Sequence, residues 1–128
     1  LHIDYSKNWQ AEHWRAIESA YANAPHFEHY AHDRRFIFKE QHVFLHELNS
    51  AILNWIDNAL SLQLLIDQSD EFTGQTLSEK KAWLGRALTP TKAYQQVFNG
   101  KKEFVQNLSV IDGLMNEGPL LRNHFVPR

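Results

Sequence analysis

The residues with most chemistry to offer stand in the stretch NLSVIDGLMNEGP, 107–119, where Asp112 and Asn116 lie four apart among Val110, Ile111, Leu114 and Met115. On a helix that spacing puts a carboxylate and an amide on one face and the apolar residues on another. Local structure competes for the same letters. Ser109 precedes the apolar run, and Asp112 follows three residues later, where a capping box usually has Glu. Gly118 suits a left-handed helix end, and Pro119 follows it as a stop. Capping therefore accounts for Ser109, Gly118, Pro119 and part of Asp112, and leaves Asn116 without a structural role.

Two sets of histidines compete with this pair. His13 falls between Trp9 and Ile17 on what reads as the buried face of a first helix, where a histidine is ordinarily a core residue with one ring nitrogen satisfied. Its alternative is general acid–base work. His26, His29, His32 and Asp33 form the second set, and only His29 and Asp33 have the four-residue spacing that makes helical neighbours. Closing a tetrahedral zinc site would take a further ligand from elsewhere, and no HExxH is present. A solvated histidine face, with no metal, is the expectation.

Composition narrows the classes further. The chain has 128 residues, 43% of them hydrophobic and 22% charged, which suits one globular domain over 1–128. A net charge of −2 makes no electrostatic case for nucleic acid or an anionic membrane. Protonating the eight histidines would reverse its sign, so surface charge is adjustable near pH 6. The absence of cysteine excludes disulfides, thiolate metal sites and a cysteine nucleophile, and fits a reducing cytoplasm. No apolar run approaches a membrane span. GxGxxG, GxxxxGK[ST] and GxSxG are all missing, so no motif calls for a cofactor. The four tryptophans offer sugar-stacking surface, but aromatics at helical spacing are more often core.

The elements that must position these residues read as helices. Asn8 can cap a helix over 9–23 with Trp9, His13, Ile17, Ala20 and Tyr21 as its stripe. Pro25 suits the first turn of a short second helix. The strongest helix covers 43–60, with Leu45, Leu48, Ile52, Trp55, Ile56 and Ala59 buried. A polar loop over 67–76 and a helix from Thr76 to about Leu88 follow. The expected fold is mostly α, an irregular helical bundle of about four or five helices with at most a short extended segment near 62–66.

Several stretches together resemble one family. NWQAEHWRAIESAYANAPHFEHY, FLHELNSAI, YQQVF and FVQNLSVIDGLMNEGP are similar, in order and spacing, to the C-terminal part of WbqC-like proteins. The most specific mark is YQQVF paired with Asn-Leu-Ser, an aliphatic pair, Asp and Asn-x-Gly-Pro. Gly113-Leu114-Met115 departs from the bulkier run usual there, at a cost of about 1 kcal/mol for a glycine within a helix.

The resemblance implies a helical C-terminal portion of a longer protein whose N-terminal half, its first expected partner, is absent. It also implies work in O-antigen or other surface-polysaccharide biosynthesis, as an aminoacyl (glycyl) transferase acting on an amino sugar. The alternative is a non-enzymatic helical interaction module. For transfer, His13 is the candidate base and Asp112 a group that orients a donor or a histidine. Trp9, Tyr94, Gln96, Asn107, Ser109 and Asn116 are the binding candidates. The small-molecule partner would be an amino sugar or nucleotide sugar, and a homodimer would cover apolar surface left by the missing half.

Overall fold

In the computed structural model the described residues are 1–66, 92–97, 103–106 and 108–124, the side chains of 33–36 excepted. They contain four α-helices, α1 (Trp9–Tyr21), α2 (Phe27–Ile37), α3 (Leu45–Leu60) and α4 (Val110–Glu117), and a 3-10 helix over Gly118–His124. The protein is mostly α and its helices pack as a bundle, as the periodicity predicts. Residues 62–66 have no regular structure, and the one trace of β pairing among the described residues is a bridge between His2 and Phe44. The loop expected over 67–76, the helix expected over 76–88 and Asn107 lie outside the described residues. Among the described residues, no helix is long and apolar enough to cross a membrane.

Apolar burial sets the arrangement. Ala24, Phe27, Tyr30, Leu60, Leu114, Met115 and Leu121 make the core, drawn from α2, α3, α4 and the 3-10 helix. Trp14, Ile17 and Tyr21 bring α1 against it, while His13 is exposed. Ile17 and Tyr21 hold their expected places, and Trp14 stands inward where His13 was expected. An indole buries more apolar area than an imidazole, and a buried imidazole needs partners for two nitrogens, so Trp14 takes the inner place. Trp14 stacks on Phe27 at 6.2 Å, and Tyr30 meets Trp55 edge-on at 5.8 Å.

The helix ends show the local logic. Pro25 occupies the second position of the turn in which Phe27 N–H donates to Ala24 O (3.1 Å), two residues ahead of the helix expected to hold it. Glu47 takes the N–H groups of Val43 and Phe44 at 3.0 Å each, opening α3. Ser61 ends α3 in the left-handed conformation (φ 50°), a place where glycine is cheaper. Ahead of α1, Tyr5 Oη donates to His42 O (3.0 Å) and accepts from His42 N (2.9 Å), pinning the N-terminal segment to the approach of α3.

The last two helices are joined by Gly118. Its φ of 60° reverses the chain, and Pro119 lies early in the 3-10 helix rather than ending the structure. A Cβ at Gly118 would stand 2.6 Å from the His26 ring, whose backbone N–H donates to Met115 O (3.0 Å). The glycine within α4 also has a physical reason: a Cβ at Gly113 would meet Leu121 Cδ1 at 2.5 Å, so Leu121 packs where a side chain would be.

Gly118→Ala should lose roughly 1–3 kcal/mol of stability from backbone strain, measured by urea denaturation. Ser61→Gly should gain about 1 kcal/mol in the same experiment. The Phe44 amide, foremost, holds the Glu47 carboxyl below its ordinary pKa. A depressed acid stabilises above its unfolded pKa and loses that contribution as pH falls through the folded value. The stability deficit of Glu47→Ala should therefore be present at neutral pH and shrink in acid.

Candidate functional site

Asp112 lies in the first turn of α4, yet its carboxylate forms no capping box. Ser109 caps the helix instead, its hydroxyl accepting from Ile111 N (3.3 Å) and its carbonyl from Asp112 N (2.9 Å). The Asp112 side chain turns into the protein and has no exposure at all (0%). There Oδ2 accepts from Tyr94 Oη at 2.6 Å and from Gln96 Nε2 at 3.3 Å. Oδ1 accepts from Asn116 Nδ2 at 3.3 Å, and the same amide donates to Asp112 O at 2.8 Å. The Tyr21 hydroxyl, from the last turn of α1, completes the set. Every polar side chain in this shell is a donor facing an acceptor group, which is what a buried carboxylate requires.

The shell is closed as well as complementary. Gln96 uses its amide in full, donating also to Val105 O (2.9 Å) and accepting from Val105 N (3.0 Å). Asn116 has the role that capping left open: it is committed to Asp112 through both oxygens it meets. The two phenols feel the site strongly. Burial first, then the charge of Asp112, pushes the Tyr21 pKa up to about 12. Burial first, then the hydrogen bond to Asp112, pushes Tyr94 up to about 12, with Gln96 opposing. The Tyr94 ring is held edge-on by Phe104 at 5.2 Å and by His124 at 6.0 Å, and His124 Nε2 meets Glu117 Oε2 at 3.3 Å.

The structure thus gathers Tyr94, Gln96, Asp112 and Asn116 and leaves His13 and Trp9 elsewhere, with Ser109 as the cap of α4. His13 is on α1, two turns or about 12 Å along the axis from Tyr21. Its ring lies edge-on to Trp9 at 5.4 Å and to Phe38 at 6.5 Å. Trp9 also meets Tyr5 at 5.8 Å, and its buried Nε1 has no hydrogen-bond partner among the described residues. Ser109 is exposed and serves as a cap. Among the described residues no three His, Asp or Glu side chains are placed to hold a metal ion. Tyr21 is the member that sequence reasoning passed over as a donor, because its spacing marks it only as part of an apolar stripe.

A model of the WbqC-like protein family matches residues 1–92. The chain belongs to the WbqC-like protein family. No curated protein and no solved structure matches it. The matched stretch takes in α1, α2 and α3 and stops just before Tyr94, so among the described residues Tyr21 is the one member of the Asp112 shell inside it. In this WbqC-like chain the YQQVF and Asn-Leu-Ser stretches are physically joined, since Tyr94 and Gln96 from one meet Asp112 from the other.

Of the four tyrosines, Tyr21 and Tyr94 should ionise near pH 12 in a spectrophotometric titration. A phenol whose folded pKa is raised stabilises fully below its unfolded pKa and loses that contribution as pH rises, here from 10.0 towards about 12. Asp112→Asn should bring both phenols back towards their ordinary value. Tyr94→Phe should cost about 1–3 kcal/mol in urea denaturation, through the lost hydrogen bond to a charged group.

Proposed function

We propose that this WbqC-like protein works in O-antigen or another surface-polysaccharide biosynthesis, as an aminoacyl transferase that places a glycyl group on the amine of an amino sugar. The observation that supports this reading most is the setting of His13. Its imidazole is exposed and flanked by the rings of Trp9 and Phe38, and Phe38 also lines a hollow of about 340 Å³ with Asn8, Trp14 and Lys39. Phe38 stands between the imidazole and the hollow, so a substrate seated in the hollow would reach His13 past that ring.

In the reaction, the amine nitrogen attacks the carbonyl carbon of an activated glycyl ester and a C–N bond forms. The tetrahedral oxyanion then collapses and the C–O bond to the leaving group breaks. His13 takes the proton from the nitrogen and returns it to the leaving oxygen, while Asn8, which lines the same hollow, is the candidate donor to the oxyanion. Asp112 is a positioning residue in this scheme. Fully buried, it acts through Tyr21, which anchors the helix that carries His13.

A second reading has an observation of its own. A closed, saturated carboxylate shell is also what a purely structural module would use, and Leu64, Leu65 and Ile66 stand exposed after α3, where a partner protein would cover them. In that case the protein holds a biosynthetic assembly together and carries out no transfer.

The test is glycyl transfer to an amino sugar, followed by mass spectrometry of the product. His13→Ala should lower the rate by about a hundredfold or more with the helical circular dichroism unchanged. Asp112→Ala should lower the melting temperature together with the rate. Transfer that proceeds undiminished in His13→Ala would remove this mechanism, and an absence of transfer would leave the interaction module as the reading.

A further inference from the structure

A second, larger hollow opens between α1 and α2. It has a volume of about 650 Å³ and shares Ala11, Trp14 and Lys39 with the hollow beside Phe38. Both volumes fall in the range that small-molecule sites occupy. Trp14 forms the floor common to them. Its indole is stacked on Phe27, which is only 7% exposed, and tilted against Phe38 at 6.3 Å, so it is held as a fixed aromatic plane.

The rim is charged in both senses. Arg15 and Glu18 come from α1, Glu28 from α2 and Lys39 from the turn after it. Among the described residues none of these four is in an ion pair or hydrogen bond through its side chain. An apolar ligand would leave these charges idle, and a polyanion would meet two carboxylates. A ring with an apolar face, one ammonium and one phosphate would use the aromatic plane and both signs of charge.

We infer that the groove between α1 and α2 binds a hexosamine phosphate, its ring on Trp14, its ammonium towards Glu18 and Glu28 and its phosphate towards Arg15 and Lys39. The inference rests on the amino-sugar reading given above and adds the place and the anchoring groups of the acceptor. The groove shares Trp14 and Lys39 with the adjoining hollow, so a ring bound on Trp14 lies next to that hollow. The four charged residues act in binding and orientation.

Calorimetric titration of the protein with glucosamine 1-phosphate tests this, with glucosamine and glucose 1-phosphate as controls. Saturable binding of glucosamine 1-phosphate, at least tenfold tighter than either control, is the expected result. The double variant Glu18→Gln/Glu28→Gln should erase the preference over glucose 1-phosphate, and Arg15→Gln/Lys39→Gln the preference over glucosamine. All four positions have exposed or rim side chains, and unchanged circular dichroism would show that the variants fold. An absence of saturable binding, or binding that neither double variant weakens, overturns the inference. Binding that follows this pattern in a protein without glycyl transfer would sink the transferase reading and leave the groove standing. Transfer that continues unaltered in both double variants would do the reverse.

Discussion

A carboxylate shut away from solvent imposes the strictest condition on this molecule. Asp112 has no exposure, and an ionisable group in that position is tolerable only where donors surround it. The donors come from three separate pieces of chain: Tyr21 ends α1, Tyr94 and Gln96 belong to the segment at 92–97, and Asn116 lies one turn along α4. None of these pieces has Asp112 as a sequence neighbour except α4. Satisfying one side chain therefore fixes the relative position of three elements, with Gln96 extending the constraint to Val105.

The same condition separates two kinds of surface. Around Asp112 the polar groups are spent on one another, and its neighbours Leu114 and Met115 on α4 are buried as well. Along the outer side of α1 the reverse holds. Beside Trp14, which Phe27 immobilises from beneath, Arg15 and Glu18 are free of partners among the described residues. A rigid helix with an unsatisfied outer face is a good platform for binding, because its geometry is set before any ligand arrives.

Much of the architecture was legible in local sequence. The stripe through Leu48, Trp55, Ile56 and Ala59 marks α3, and Ser109 and Gly118 mark the ends of α4, because periodicity and capping act over a few residues. Where two local rules compete, tertiary packing decides: Trp14 displaces His13 from the inner face, and Pro119 continues into a 3-10 helix where a stop was expected. The candidate site was legible only in part. Asp112 and Asn116 stand out by their spacing, and Tyr94 and Gln96 by family resemblance. Tyr21 does not, since a hydrogen bond between residues so distant in the chain leaves no trace in the spacing of either.

The position of the core along the chain has a further consequence. Residues 1–92 carry the family match, yet Leu114, Met115 and Leu121, against which Phe27, Tyr30 and Leu60 are buried, all come after it. During synthesis the first three helices emerge before the apolar residues of α4 that pack on them and before the carboxylate that Tyr21 meets. They must wait for the last quarter of the chain, and contacts of such long sequence separation form slowly. The part of the protein that marks its kinship is thus not the part that can fold first: α4 arrives late and closes the structure, as a keystone set after the arch.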